Sequence, residues 1–172
     1  MESKELNKVL KARAVELGLC EKWKDEWEKD ETKQELIDKY LRGIDFCIKH
    51  DYPNVAFIRE YFPKKLLNKN GILLDENVGR RDEMSSHGTV VLLGNSKAEL
   101  HYNGLRTGTI YVRHQSELTI VARDNSRVFI ECYEDSKVYV SAEVTSRVFV
   151  YWHGGTVEAD VNVTIRDKRK AE

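Results

Sequence analysis

Apolar residues along this chain follow two different spacings, and the change falls near residue 70. In the first part they recur every three or four positions. Leu6, Val9, Leu10, Ala14 and Leu17 fall on one side of a helix. Gly18, free to take a positive φ, is placed to close it. Trp23 and Trp27 stand four apart, on one side of a short second helix. Thr32-Lys33-Gln34-Glu35 has the form of a capping box, in which hydroxyl and carboxylate serve two free amides of a helix start. Leu36, Ile37, Tyr40, Leu41, Ile44 and Ile48 continue that helix with an apolar stripe. His50-Asp51-Tyr52-Pro53 breaks it, because proline disfavours a helical residue before it. Pro53 then opens a fourth helix, with Val55, Phe57, Ile58, Tyr61 and Phe62 on its apolar side.

After residue 70 the alternation is by two, the period of a strand. Residues 71–87 read as transitional, with a short strand at Ile72-Leu73-Leu74 and a polar loop at Arg80-Arg81-Asp82-Glu83-Met84-Ser85-Ser86. From residue 88 a ten-residue repeat sets in. Val90, Leu100, Ile110, Ile120, Ile130, Val140 and Val150 form one aliphatic column, flanked two residues earlier and later by further apolar or small residues. The phrases Ser126-Arg127-Val128-Phe129-Ile130, Ser136-Lys137-Val138-Tyr139-Val140 and Ser146-Arg147-Val148-Phe149-Val150 are nearly copies. Ten is even, so each strand sends the same column inward. The intervening tetrads, such as Arg123-Asp124-Asn125-Ser126, are turn-rich. The expected domains are a helical segment over 1–70, a transitional segment over 71–87, and a repeat domain with a charged tail over 88–172.

An antiparallel meander gives no reason for successive strands to repeat the same residues at the same phase. A β-solenoid does, since every coil repeats the environment of the last. The fold class expected is therefore α+β: N-terminal helices, then a small β-solenoid, or β-helix, with two strands per coil. The two-strand coil is preferred because it sorts the outward residues. One sheet then shows Thr109, Tyr111, Arg113, Phe129, Glu131, Tyr133, Phe149, Tyr151 and His153. The other shows Glu99, His101, Asn103, Thr119, Val121, Arg123, Tyr139, Ser141 and Glu143. The first is an aromatic face and the second a polar one.

Composition adds boundaries to this picture. Hydrophobic residues make up 41% of the chain, enough for a packed core, and a net charge of −1 supplies no overall field toward nucleic acid or an anionic membrane. No long apolar run interrupts the chain, which points to a cytoplasmic protein. Cys20, Cys47 and Cys132 are odd in number and far apart, so neither a disulfide framework nor a zinc site is indicated. His50, His87, His101, His114 and His153 lack metal-ligand spacing. No phosphate loop, nucleophile elbow or paired carboxylates stand in context, so the reading is of a non-enzyme without cofactor or metal. The candidate protein interface is the aromatic face: Tyr111, Phe129, Tyr133, Phe149, Tyr151 and His153, which also offers a homodimer contact. Arg127, Lys137 and Arg147, in one column at the turn–strand border, are the candidate contacts for an anion or nucleic acid.

In period and apolar columns, residues 88–157 resemble the β-solenoid families, and bactofilins among them. That resemblance implies a structural protein that self-associates. The stretch Leu36-Ile37-Asp38-Lys39-Tyr40-Leu41-Arg42-Gly43-Ile44-Asp45-Phe46-Cys47, with Tyr111-Val112-Arg113-His114, is similar to proteins of bacterial phages and integrated elements. This implies a protein-binding inhibitor of a bacterial defence nuclease or effector, of the anti-CRISPR kind. A nucleic-acid-binding accessory protein is the further alternative.

Overall fold

Side-chain and glycine caps close the helices where the residue types allow it. The computed structural model describes residues 2–82 and 88–169, and the chain divides into two compact units at residues 66 and 67. In the first unit α1 spans Ser3–Glu16. It ends in a Schellman turn: Gly18, at φ +89, donates to the Val15 carbonyl, and Leu19 donates to that of Ala14. The second helix, α2, is only Glu21–Asp25. Trp27 lies beyond it, contrary to the expectation from its spacing with Trp23. Its indole Nε1 donates to Asn7 Oδ1 at 2.5 Å, and that long-range bond, not helix periodicity, fixes the tryptophan.

The capping box is formed. The Glu35 amide donates to Thr32 Oγ1 at 3.3 Å, and the Thr32 amide donates to Glu35 Oε2 at 2.7 Å. Behind it α3 runs Lys33–Arg42. The expected single helix is divided at Gly43, whose φ of −104 and ψ of 28 leave the helical region, and α4 covers Ile44–Lys49. Asn54 rather than Pro53 opens α5, Val55–Tyr61, by accepting from the Phe57 amide at 2.9 Å. The last helix, α6, is Lys64–Lys69. Leu6, Leu10, Ala14, Leu36, Ile37, Ile44, Cys47 and Ile58 are buried in the helical unit.

The second unit is a parallel β-solenoid. Its strands are β1 Ile72–Leu74, β2 Asn77–Asp82, β3 Thr89–Leu93, β4 Lys97–Tyr102, β5 Thr107–Val112, β6 Glu117–Ala122, β7 Arg127–Cys132, β8 Lys137–Ala142, β9 Arg147–Trp152, β10 Thr156–Ala159 and β11 Val163–Asp167. They alternate between a six-stranded sheet, β1-β3-β5-β7-β9-β11, and a five-stranded one, β10-β8-β6-β4-β2. Each coil thus holds two strands. In the regular part each residue lies beside the one twenty positions on: Ile110 pairs with Ile130 and Ile130 with Val150.

The ten-residue columns fill the interior between the sheets, from Leu73, Val90 and Leu92 to Val148 and Val150, all nearly inaccessible. Large and small residues compensate there. Gly108 lies so close to the Tyr102 ring that any Cβ would collide with it. The outward residues of β1 and β3, Ile72, Leu74, Val91 and Leu93, are buried too, so both sides of these strands are apolar.

The corners have their own repeat. Gly94, Gly104, His114, Asp124 and Glu134 all take a positive φ, one every ten residues. Ser96, Ser116, Ser126, Ser136 and Ser146 are buried at the next bend, where hydroxyls serve carbonyls that the turn frees. Ser96 Oγ donates to Leu93 O at 2.7 Å and Ser136 Oγ to Tyr133 O at 2.6 Å.

Two boundaries differ from the sequence reading. Residues 72–82 are not a transition: β2 pairs with β4, so Arg80, Arg81 and Asp82 belong to a strand and not to a loop. The rest of the expected loop, with His87, lies outside the described residues. At the other end Arg166 and Asp167 are not tail but the end of β11, with Val163 beside Val148. Lys170 falls outside the described residues.

Candidate interaction surface

The outer face of the six-stranded sheet collects Tyr111, Phe129, Tyr133, Phe149, Tyr151 and His153, all half-buried. Strand register decides their neighbours. Phe129 lies beside Phe149, and their rings stack at 5.5 Å with planes 10° apart. One corner further on, Tyr133 stacks on His153 at 4.4 Å and 8°. A ring stacked along the coil axis has spent a face on its neighbour, so an approaching molecule meets mainly ring edges. Offset stacking of this kind adds to the ladder about 0.5–1.5 kcal/mol per pair beyond the area it buries.

Cations flank these rings. Arg166 of β11 lies over Phe149 at 5.6 Å and over Tyr151 at 5.4 Å. Arg169 lies 3.4 Å from the Trp152 ring centre. The same Arg169 hydrogen-bonds the Asp167 carboxylate and holds its pKa down at about 2. Arg127 and Arg147 are register partners on this sheet, both exposed, and neither forms an ion pair among the described residues. The third member of the expected cation column, Lys137, belongs to the other sheet. There it stands beside Glu117, which also holds Lys97 at 2.6 Å. The column is therefore split in two by the coil: Lys137 has an acid as its register neighbour, and the arginines have each other.

The acids on the aromatic face are engaged. Glu131 Oε2 lies 2.7 Å from His153 Nε2. Glu134 pairs with the buried Arg113 guanidinium, and its other oxygen accepts from the His114 amide at 2.8 Å. Arg113 counts as outward by alternation but is folded flat along the corner to reach the next coil. His101 on the opposite sheet is buried as well, with Nε2 2.6 Å from Glu99 Oε1. Sequence alternation gave no sign of either burial: the partner of Arg113 comes from the next coil, and that of His101 is two residues back in its own strand, on the same outward face.

Burial raises the pKa of the Cys132 thiol, whose sulfur lies 3.1 Å from the Gly154 carbonyl and 3.2 Å from Ser136 Oγ. It is a packing residue of the interior. In the helical unit an open cleft of about 420 Å³ is lined by Lys4, Lys8, Lys11 and Lys29 together with Asn7 and Glu28. Lys4 is engaged by Asp30 at 3.1 Å and Lys11 by the Trp27 carbonyl at 2.8 Å. Among the described residues no group of three or more His, Cys, Asp or Glu is placed to hold a metal ion, and no helix is long and apolar enough to cross a membrane.

Compared with protein-family models, with curated proteins and with solved structures, the chain matches none. Fold and surface chemistry therefore carry the functional argument.

Proposed function

We propose that the chain is a non-catalytic binding protein that engages another protein through the outer face of the six-stranded sheet. The observation that carries this reading is the Arg127–Arg147 pair. Two like charges in register repel, no acid of the described residues answers them, and a ladder of half-buried rings adjoins them. A partner carboxylate relieves the repulsion while the ring edges supply apolar contact. In its narrower form the reading is an inhibitor of a bacterial defence nuclease or effector, carried by a phage or mobile element. That form draws on the resemblance of residues 36–47 and 111–114.

The narrower form is tested in bacteria that carry a nuclease-based defence system. Expression of the chain is expected to raise phage plating, and Arg147→Glu with Tyr151→Ala is expected to abolish the rise with an unchanged melting temperature. No rise across a panel of such systems rejects it.

One feature favours a second reading, a self-associating scaffold of bactofilin-like type. The last strands, β10 and β11, have unpaired edges, and Ile165, aligned with the inward Val150, is 44% exposed. Light scattering on the purified chain separates the two: polymers support the scaffold, and a monomer at micromolar concentration rejects it. A nucleic-acid accessory role has less behind it, because Lys137 stands apart from the arginine pair.

A further inference from the structure

A two-strand coil has two series of corners, and the chain treats them differently. The corners that follow β3, β5, β7 and β9 carry Gly94-Asn95, His114-Gln115, Glu134-Asp135 and Gly154-Gly155, all polar or glycine. The corners that follow β4, β6, β8 and β10 carry Leu105, Asn125, Val144 and Val161. Leu105 is 89% exposed, Val144 82% and Val161 99%. These are the most exposed large apolar residues described anywhere in the chain, and all three lie on one edge of the solenoid.

Folding does not ask for them. Turn tips favour Gly, Asn and Asp, which tolerate the left-handed region, and the sister corner at Asp124-Asn125 uses just those residues, at φ +54 and +66. Val144 stands at the phase of Gly104 and Asp124, yet it is not among the positive-φ residues. A β-branched side chain resists that conformation. The corner at Val144 gives up the turn geometry of its neighbours to present an aliphatic group to solvent.

The same edge borders the arginine pair. Arg127 and Arg147 follow the corners at 124–126 and 144–146 directly, as the first residues of β7 and β9. Along this edge Glu143 lies 3.7 Å from Arg123, Asp160 accepts from Ser141 Oγ at 2.9 Å and from the Ala142 amide at 3.1 Å, and among the described residues Asp124 forms no ion pair with either arginine. The edge is thus a line of aliphatic tips beside two uncompensated guanidiniums, with rungs about 4.8 Å apart.

We infer that this edge is a docking ridge for a protein that presents an apolar groove bordered by carboxylates. Resting on the reading above, this extends it by placing the centre of contact at the corner and not at the ring ladder. The groove takes Leu105, Val144 and Val161, and the carboxylates take Arg127 and Arg147 in fork geometry. A nucleic-acid backbone answers the arginines but has no use for three bare aliphatics, so the combination selects protein.

The test places the photo-crosslinking residue p-benzoylphenylalanine singly at positions 105, 144, 161, 115, 135 and 151 of the full chain, in cells that make it naturally. Expected are adducts with one other protein from positions 105, 144 and 161 and none from 115 and 135. The crosslinked peptide, sequenced by mass spectrometry, is expected to contain both aliphatic and acidic residues. Arg127→Glu with Arg147→Glu is expected to lower adduct yield about tenfold or more, the loss that one interfacial charge contact commonly carries. Melting temperatures of the substituted chains confirm that each is folded. Adducts from position 151 alone overturn the ridge and leave the sheet-face reading standing, whereas no adduct from any position overturns both. Adducts with nucleic acid, with lipid or with the chain itself, or equal adducts from both edges, also overturn the ridge.

Discussion

Gly108 shows at the scale of one residue how the coil interior is fitted. It occupies an inward column that holds Leu118, Val128, Val138 and Val148 further along, and it is glycine because the Tyr102 ring takes up the space in front of it. Gly108→Val is expected to destabilise the chain by about 3 kcal/mol, an overpacking cost at the upper end of the usual range. Tyr102→Ala in the same chain is expected to recover part of that loss, and urea denaturation of the single and double variants measures the coupling. Had the glycine been needed only for backbone freedom, the second substitution would recover nothing. The glycine was legible in the sequence as a member of its column, but the reason for it was not, since the tyrosine comes from the neighbouring sheet. Arg113 was hidden the same way: alternation places it outside, and Glu134 of the next coil pairs with it.

Among the elements, those with a local signal were read most closely. The α3 start needed only Thr32 and Glu35, and its cap is present as expected. Thr32→Ala is expected to cost about 1 kcal/mol in thermal or denaturant unfolding, as the loss of an N-cap hydroxyl usually does. The Glu35 carboxyl is held below its ordinary value, first by the Thr32 amide and then by the Thr32 hydroxyl. A depressed pKa stabilises the fold at pH above the unfolded value, about 4.3. That contribution is expected to fade as pH falls through the lower folded value, and to be absent from the pH–stability curve of Glu35→Gln. Strands without apolar alternation were missed. β2 has one half-buried valine, Val78, and is a strand because β4 offers it an edge. β11 alternates well enough, but the shortened last coil puts Val163 beside Val148, out of step with the ten-residue count. At Gly43 the apolar stripe runs straight through, so the pattern carries no sign of the break that the backbone makes there.

For the whole molecule, the repeat and the sorting of aromatics onto one sheet were both written in the chain. The corner ridge was not seen, because Leu105, Val144 and Val161 do not share a phase in the count of ten. They come together only when the corners are divided into two series. The register of the central coils also gives the gene a unit of change. Removing residues 108–127 takes out one full turn and leaves every later strand on its own sheet. Such a chain is expected to fold into a shorter solenoid with a cooperative melt and unchanged spectroscopic character per residue. Removing ten residues, 118–127, exchanges the sheets for everything that follows, so Phe149 would stand where Tyr139 stands now. It is expected to keep Phe129 beside Phe149, still twenty positions apart but moved to the other sheet, and to lose the Arg127–Arg147 pair because Glu117 then stands beside Arg147, while keeping its aliphatic interior. Growth and loss by evolution are therefore quantised: twenty-residue steps conserve a surface, and ten-residue steps turn it over.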